Sequence, residues 1–192
     1  MPPVRTLPPM PEAIAALPRD RGYPVPWVSC WANGQFIVRN TPHSGLVRRC
    51  GCTPGQGRAL IGTPCADRQR RAMRQRLCGT CGRPLTSPMV FIGERDMPYS
   101  QEPALHVECA VFSLRACPHL LHHGTSVGVI IASAYGIMES RVLGFDDRGN
   151  PIRRLCPAGD GKRTGGALEC LIARMPQSAL RHPAEAWLAA TG

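Results

Sequence analysis

Four residues constrain this chain more than any others: Cys78-x2-Cys81 and, after 24 intervening residues, His106-x2-Cys109. Three thiols and one imidazole at this spacing are the donor set of a tetrahedral zinc ion, and a site with four protein ligands leaves no open position for a substrate. Gly79 and Gly82 flank Cys81, so the backbone can fold back and turn two amide N–H groups toward the thiolates, as in a zinc knuckle. Pro103 suits a first helical turn, and the run over 104–117 places apolar residues at Val107, Ala110, Val111 and Leu114. Residues three apart share a helix face, so His106 and Cys109 can turn together toward the knuckle. The plainer alternatives are buried free thiols, disulfides or a redox pair. Gly82-Arg83-Pro84 blocks the helix that a redox-active Cys-x2-Cys would open.

Knuckle, hairpin and ligand-bearing helix together resemble a treble-clef finger of about 40 residues, with PMVFIG as a strand of the hairpin. His106-Val107-Glu108 also matches the His-x-Glu half of the zinc nucleobase deaminases, in which a glutamate moves the proton. The order is reversed here, however, and Cys109 occupies the position a catalytic water would need. An HNH-type nuclease needs a histidine base ahead of the helix, and none lies between Cys81 and His106. No serine–histidine–acid set or carboxylate pair stands out, so the expectation is a protein without enzymatic activity.

At 192 residues the chain makes one domain, or one and a small appendage, and its 5% aromatic content makes for a thin core that a metal cross-link would reinforce. The formal charge of +10 reflects few acids, 13 against 23 basic residues, and every basic residue except Lys162 is Arg. Ten cysteines without a hydrophobic leader at the N-terminus, and without an apolar run of ~18 residues, point to a reduced, cytoplasmic, metal-binding protein with no membrane partner.

Residues 1–22 are Pro-rich and expected to be extended or poorly ordered, with at most one helical turn over 12–17. Two β-rich runs, 25–32 and 35–39, flank Asn33-Gly34, a strong hairpin signal, and put Trp27 and Trp31 on one face. LPRDRGYPVPWVSCW, followed by the finger LCGTCGRPL…LHVECAVFSLRACPHL, resembles a set of small uncharacterised zinc-finger proteins of actinobacteria and their phages. The resemblance covers roughly 17–40 and 76–121. It implies zinc on Cys78, Cys81, His106 and Cys109 and brings no established activity with it.

Residues 48–76 depart from that pattern. Cys50, Cys52 and Cys65 can hold a second zinc, with a fourth ligand from Cys30, His43 or Cys156, or they are ordinary small buried residues. Eight arginines against Asp67 concentrate +7 here. A helix over 63–77, capped by Thr63 with Pro64 in its first turn, has Ala66, Met73 and Leu77 as a narrow apolar stripe. Arg68, Arg70, Arg71, Arg74 and Arg76 would then face solvent and grip phosphates of DNA or RNA. The alternatives are a solvated helix face, or an interaction module that engages an acidic surface of a host protein.

Cys117, His119, His122 and His123 suggest another metal but are better read as the end of the finger helix at Pro118. Strands follow over 127–132 and in a hairpin of 141–145 with 151–155, then a loop at 159–164 that lacks Walker spacing, and helices over 167–175 and 183–190. The expected fold is α+β: a small antiparallel sheet with an inserted treble-clef finger and two short C-terminal helices. Its parts would be an N-terminal segment (1–22), a core hairpin (23–47), the Arg helix with the finger (48–121), and C-terminal strands and helices (122–192).

Overall fold

The structure is a computed structural model that describes residues 8–34, 36–42, 44–117, 120 and 127–191. In chain order the elements are α1 (Glu12–Ala15), β1 (Arg19–Asp20), β2 (Tyr23–Pro24), β3 (Ser29–Trp31), β4 (Phe36–Thr41), β5 (Gly45–Cys50), β6 (Ala59–Pro64) and α2 (Ala66–Gln75). There follow β7 (Met89–Glu94), β8 (Tyr99–Ser100), α3 (Val107–Ala116), β9 (Val127–Ala132), β10 (Gly136–Phe145) and β11 (Pro151–Pro157). The chain closes with α4 (Gly161–Thr164), β12 (Ala167–Arg174), β13 (Leu180–Pro183) and α5 (Ala184–Thr191). The architecture is mixed α+β, with mostly antiparallel sheets and a few short helices.

The apolar runs MVFIG and VGVIIA become β7 and β9, which pair antiparallel in the order β13-β9-β7. Strand side chains alternate between faces. Val90, Ile92, Val129 and Ile131 point into one core with α3 and α5, while Met89, Phe91, Ile130 and Ala132 point into a second. A sheet buried on both faces needs continuous rather than alternating hydrophobicity, which is why neither segment carries a polar stripe. The second core is closed by Met73 of α2 and by Val47, Leu168, Leu171 and Ala173 of the larger sheet. There Tyr135 meets Phe91 edge to face at 5.4 Å and donates to the Met73 carbonyl at 3.0 Å.

The larger sheet runs β11-β10-β12-β5-β4, with β8 added beside β12. Only the β12–β5 contact is parallel, through Leu168 and Val47. α2 lies on this sheet and is fastened to it by buried Gln69, whose amide accepts from Leu171 N–H and donates to the carbonyls of Leu171 and Gln101.

Several expectations are corrected. Residues 167–175 are not a helix but β12, the central strand of the sheet, buried from Cys170 to Ala173. Of the two C-terminal helices, α5 is present over Ala184–Thr191, and among the described residues the only other helical piece in that region is the single turn α4. The Asn33-Gly34 hairpin does not form: β3 pairs with β6 and β4 pairs with β5. The turn chemistry is used elsewhere. A Cβ at Gly34 would stand 2.4 Å from the Cys52 backbone nitrogen, Asn33 Nδ2 donates to Gln56, and Asn33 Oδ1 accepts from Thr53 N–H. The Arg helix is shorter than expected, with Cys65 rather than Thr63 at its N-cap, because Thr63 and Pro64 finish β6. Of the N-terminal segment, Pro11 and the α1 turn are docked, with Ile14 fully buried against α3 and α5.

One buried ion pair clamps the larger sheet. Arg141, 1% exposed, binds Glu139 Oε2 at 2.9 Å and also donates to the carbonyls of Gly165, Gly166 and Ser44 at 2.8–2.9 Å. Removing one partner leaves a buried charge uncompensated, which is strongly unfavourable. Arg141→Ala should lower unfolding free energy by about 3–5 kcal/mol in urea titration, whereas the exposed Arg148→Ala should change it by less than about 0.5 kcal/mol.

Candidate metal centre

The knuckle is built from backbone hydrogen bonds. Cys78 N–H donates to Arg83 O and Gly82 N–H to Cys78 O, both at 2.8 Å, and this folds 78–83 back on itself. Gly82 takes φ +74° and a Cβ there would stand 2.7 Å from the Trp27 ring, so the position admits glycine for two separate reasons. Trp27 is half-buried on this glycine and is not on a common core face with Trp31, which packs with Val25 and Ala59. The second ligand pair stands at the helix start, as anticipated. His106 is the N-cap of α3 and Cys109 lies in its first turn, but Pro103 falls in the extended lead-in and not in the helix. The hairpin anticipated within the finger is replaced by a bridge between Val90 and Leu105, while β7 takes β9 as its strand partner.

Cys78, Cys81, His106 and Cys109 bring their donor atoms within 4.8 Å of one another, with the three thiols buried. His106 Nδ1 is 3.4 Å from Cys81 Sγ and 3.9 Å from Cys109 Sγ. Tetrahedral bonds of ~2.3 Å to sulfur and ~2.05 Å to nitrogen would put such atoms about 3.6 Å apart, so the set fits a metal of that size. His106 Nε2 lies 2.8 Å from the Pro84 carbonyl, which only accepts. The proton therefore sits on Nε2, and the Nδ1 lone pair faces the thiols, the outer-shell arrangement that orients a metal-bound imidazole.

The three thiols are shifted in opposite directions. Cys109 first, and then Cys78, donate to Cys81 and hold it down at about 2. Cys109 is pushed far above the normal thiol range by donating to Cys78 and Cys81 and by burial. Cys78 accepts from Cys109, yet donation to Cys81 and burial leave it raised on balance.

A second cluster joins Cys30, Cys50 and Cys52, also within 4.8 Å of one another. Of the anticipated fourth ligands, Cys30 is therefore in place; buried Cys156 lies instead against the Glu139 carbonyl at 3.8 Å, and His43 lies outside the described residues. Cys65 stands beside the trio but outside that mutual spacing. Both clusters could hold metal ions. Cys117 ends α3 half-buried, and His119, His122 and His123 lie outside the described residues.

The five arginines proposed as a phosphate grip divide into two groups. Arg70 is buried, donating to the Glu169 carbonyl at 2.9 Å and to Asp67 Oδ1 at 2.7 Å. Arg68 turns inward, donating to Cys52 Sγ at 3.2 Å and to the Ser29 carbonyl. Two of the five are thus structural, because α2 has too narrow an apolar stripe to cover the sheet and fills the rest of its inner face with Gln69 and Arg70. Arg71, Arg74 and Arg76 are exposed. Arg71 stands 5.9 Å above the Trp27 ring, and Arg76, in the left-handed conformation at φ +52°, caps the helix with its guanidinium 4.9 Å from Tyr135. Sequence reasoning missed Arg49 and Arg83. Arg49, Arg71 and Arg74 border a cleft of about 390 Å³ between α2 and the β4–β5 turn, and Arg83 lies exposed on the knuckle.

Glu108, the deaminase-like glutamate, is exposed and lines a shallow groove with Pro8 and Pro11. Among the described residues no helix is long and apolar enough to cross a membrane. No protein-family model, curated protein or solved structure matches the chain, so its geometry alone carries the functional reading.

Metal must displace the protons that Cys78 and Cys109 hold at pH 7, while Cys81 is already ionised. With two thiol protons released, apparent affinity at this site should fall about a hundredfold for each unit the pH drops between 8 and 6. Competition against a chelator of known pH dependence checks this; a fall of less than tenfold per unit would show that the thiols are not protonated in the free site.

Proposed function

We propose that this chain is a non-enzymatic, zinc-stabilised protein that binds nucleic acid through its phosphate backbone, as a regulator would. Three thiols and an imidazole in tetrahedral spacing select zinc over oxygen-loving cations. With four protein ligands the zinc is structural, and the knuckle, β7 and α3 around it are read as a treble-clef-like unit. The observation that carries the nucleic-acid reading is the outer side of α2 and the adjoining knuckle. Among the described residues, Arg71, Arg74, Arg76 and Arg83 are all exposed and none forms an ion pair with a carboxylate.

These arginines stand on rigid supports. α2 runs through Arg76 and Leu77 into Cys78, Leu77 bridges Pro84, and Leu85 N–H donates to Arg76 O at 2.8 Å. Exposed guanidiniums on a fixed helix and turn can contact successive phosphates without reading bases, so this surface supports affinity before sequence choice.

A second reading, a protein-binding module, has its own support. The β4–β5 hairpin exposes Phe36, Val38 and Leu46 on one face by register, with Arg48 4.2 Å over the Phe36 ring. A scattered apolar surface of this kind is ordinary on a protein of this size, whereas the unpaired arginines are concentrated.

Binding of metal-loaded protein to a random DNA duplex across a salt series tests the first reading. Four phosphate contacts predict log affinity falling with log salt at a slope of about −3.6. In Arg71→Gln/Arg74→Gln/Arg76→Gln the slope should flatten to about −1 and affinity at low salt should drop at least about tenfold, with zinc content unchanged. Unaltered affinity in that variant would remove this face from the function. Absence of binding by the parent protein would favour the protein-binding module.

A further inference from the structure

The Cys30, Cys50 and Cys52 trio has one ligand fewer than a closed tetrahedral site needs, and its surroundings indicate what completes it. The sulfurs come from separate parts of the chain: Cys30 from β3, Cys50 from the end of β5, and Cys52 from the turn beyond it. Cys30 Sγ and Cys50 Sγ are 3.5 Å apart, close to the ~3.8 Å edge of a tetrahedron of zinc-bound sulfurs. Gly34 lies flat against Cys52, where any Cβ would meet its backbone, and this holds the Cys50-x-Cys52 turn toward β3.

Cys65 is the one further thiol beside this group. It is buried, and its N–H donates to the carbonyl of Val28, in the turn just before the strand that carries Cys30, at 2.7 Å. Pro64, its chain neighbour, pairs with Ser29 next to Cys30 where β3 and β6 run antiparallel.

Arg68 supplies an independent observation. Its guanidinium reaches in to Cys52 Sγ and the Ser29 carbonyl, its Nε is buried with no hydrogen-bond partner, and it forms no ion pair among the described residues. A half-buried cation without a carboxylate calls for some other negative charge. Thiolate sulfur can provide it. Four thiolates around one divalent ion carry a net charge of −2, with Arg68 placed as an outer donor to sulfur.

We propose that Cys30, Cys50, Cys52 and Cys65 form a second, four-thiolate zinc site, with Cys65 turning into the trio from the N-cap of α2 and Arg68 balancing its charge. The site ties β3, β5 and α2 together. It also places a metal at each end of α2, an element about 15 Å long that runs from Cys65 toward Cys78.

Zinc analysis and zinc K-edge absorption on the full chain test the proposal, independently of any nucleic-acid binding. Two zincs per chain are expected, with a mean of about 3.5 sulfurs and 0.5 nitrogens per zinc, since one site has four sulfurs and the other three sulfurs and a nitrogen. One zinc per chain would overturn the site. Two zincs with a mean of about 3.0 sulfurs would overturn Cys65 as a ligand, and this reading requires no variant to fold. In Cys65→Ser the second site should lose at least about tenfold in zinc affinity, and its cobalt form should lose thiolate charge-transfer intensity; unchanged values in both would likewise exclude Cys65. Arg68→Gln should weaken zinc at this site by about tenfold while leaving the Cys78 site unaffected, as outer-shell partners of metal ligands do. Equal affinity in Arg68→Gln would refute its role as counter-charge.

Discussion

The rest of the molecule is arranged around the backbone hydrogen bonds of one turn. Between Cys78 and Gly82 the chain closes on itself, and its outward carbonyls and amides take partners from two other segments. Thr80 O and Gly79 O accept from Trp27 and Val28, and Gly79 N–H donates to Ala104 O. The turn therefore holds the approach to β3, the end of α2 and the lead-in to α3 in one frame, and the same frame aims two thiols inward. The convergence of the thiols and the packing of the chain depend on a single set of groups, so a change that spoils one spoils the other. His106 extends this frame, since its bond to Pro84 O reaches back to the loop just past the turn.

What could be read from the sequence was what local spacing controls. The donor quartet converges as its two Cys/His-x2-Cys pairs require, β7 and β9 lie where the apolar runs place them, and the β10–β11 hairpin turns across DDRGN. What could not be read was decided by distant partners. Residues 167–174 carry an apolar run that suits either a buried helix or a buried strand, and burial between two layers settled it as β12. Asn33-Gly34 has the residues of a hairpin turn, yet Gly34 was needed for close approach to Cys52. Cys30 carries no spacing that marks it as a partner of Cys50 and Cys52, because the contact is made between two different sheets.

The arginines of α2 show how charge in a sequence can mislead about surface. Neighbouring positions on this helix do opposite work. Arg70 and Arg71 are adjacent in sequence and about 100° apart around the helix, so one lies against the sheet beneath a backbone carbonyl and the other lies over Trp27 in solvent. Counting arginines measured the composition of the segment. Only the helix phase, fixed by Ala66, Ala72 and Met73 against the larger sheet, separates those that hold the fold from those that face solvent.

β12 is the middle strand of the larger sheet, although it is nearly the last strand in the chain. During synthesis the β4–β5 hairpin leaves the ribosome more than a hundred residues before the strand that closes its inner edge. Until residue 168 arrives, that edge and the apolar side of Val47 have no native cover. Sheets completed by such distant pairings form slowly and expose partly built edges along the way. The early-emerging cysteine clusters can give the nascent chain a local fixed point while it waits: every ligand of the first cluster, and all three of the second, precede residue 110.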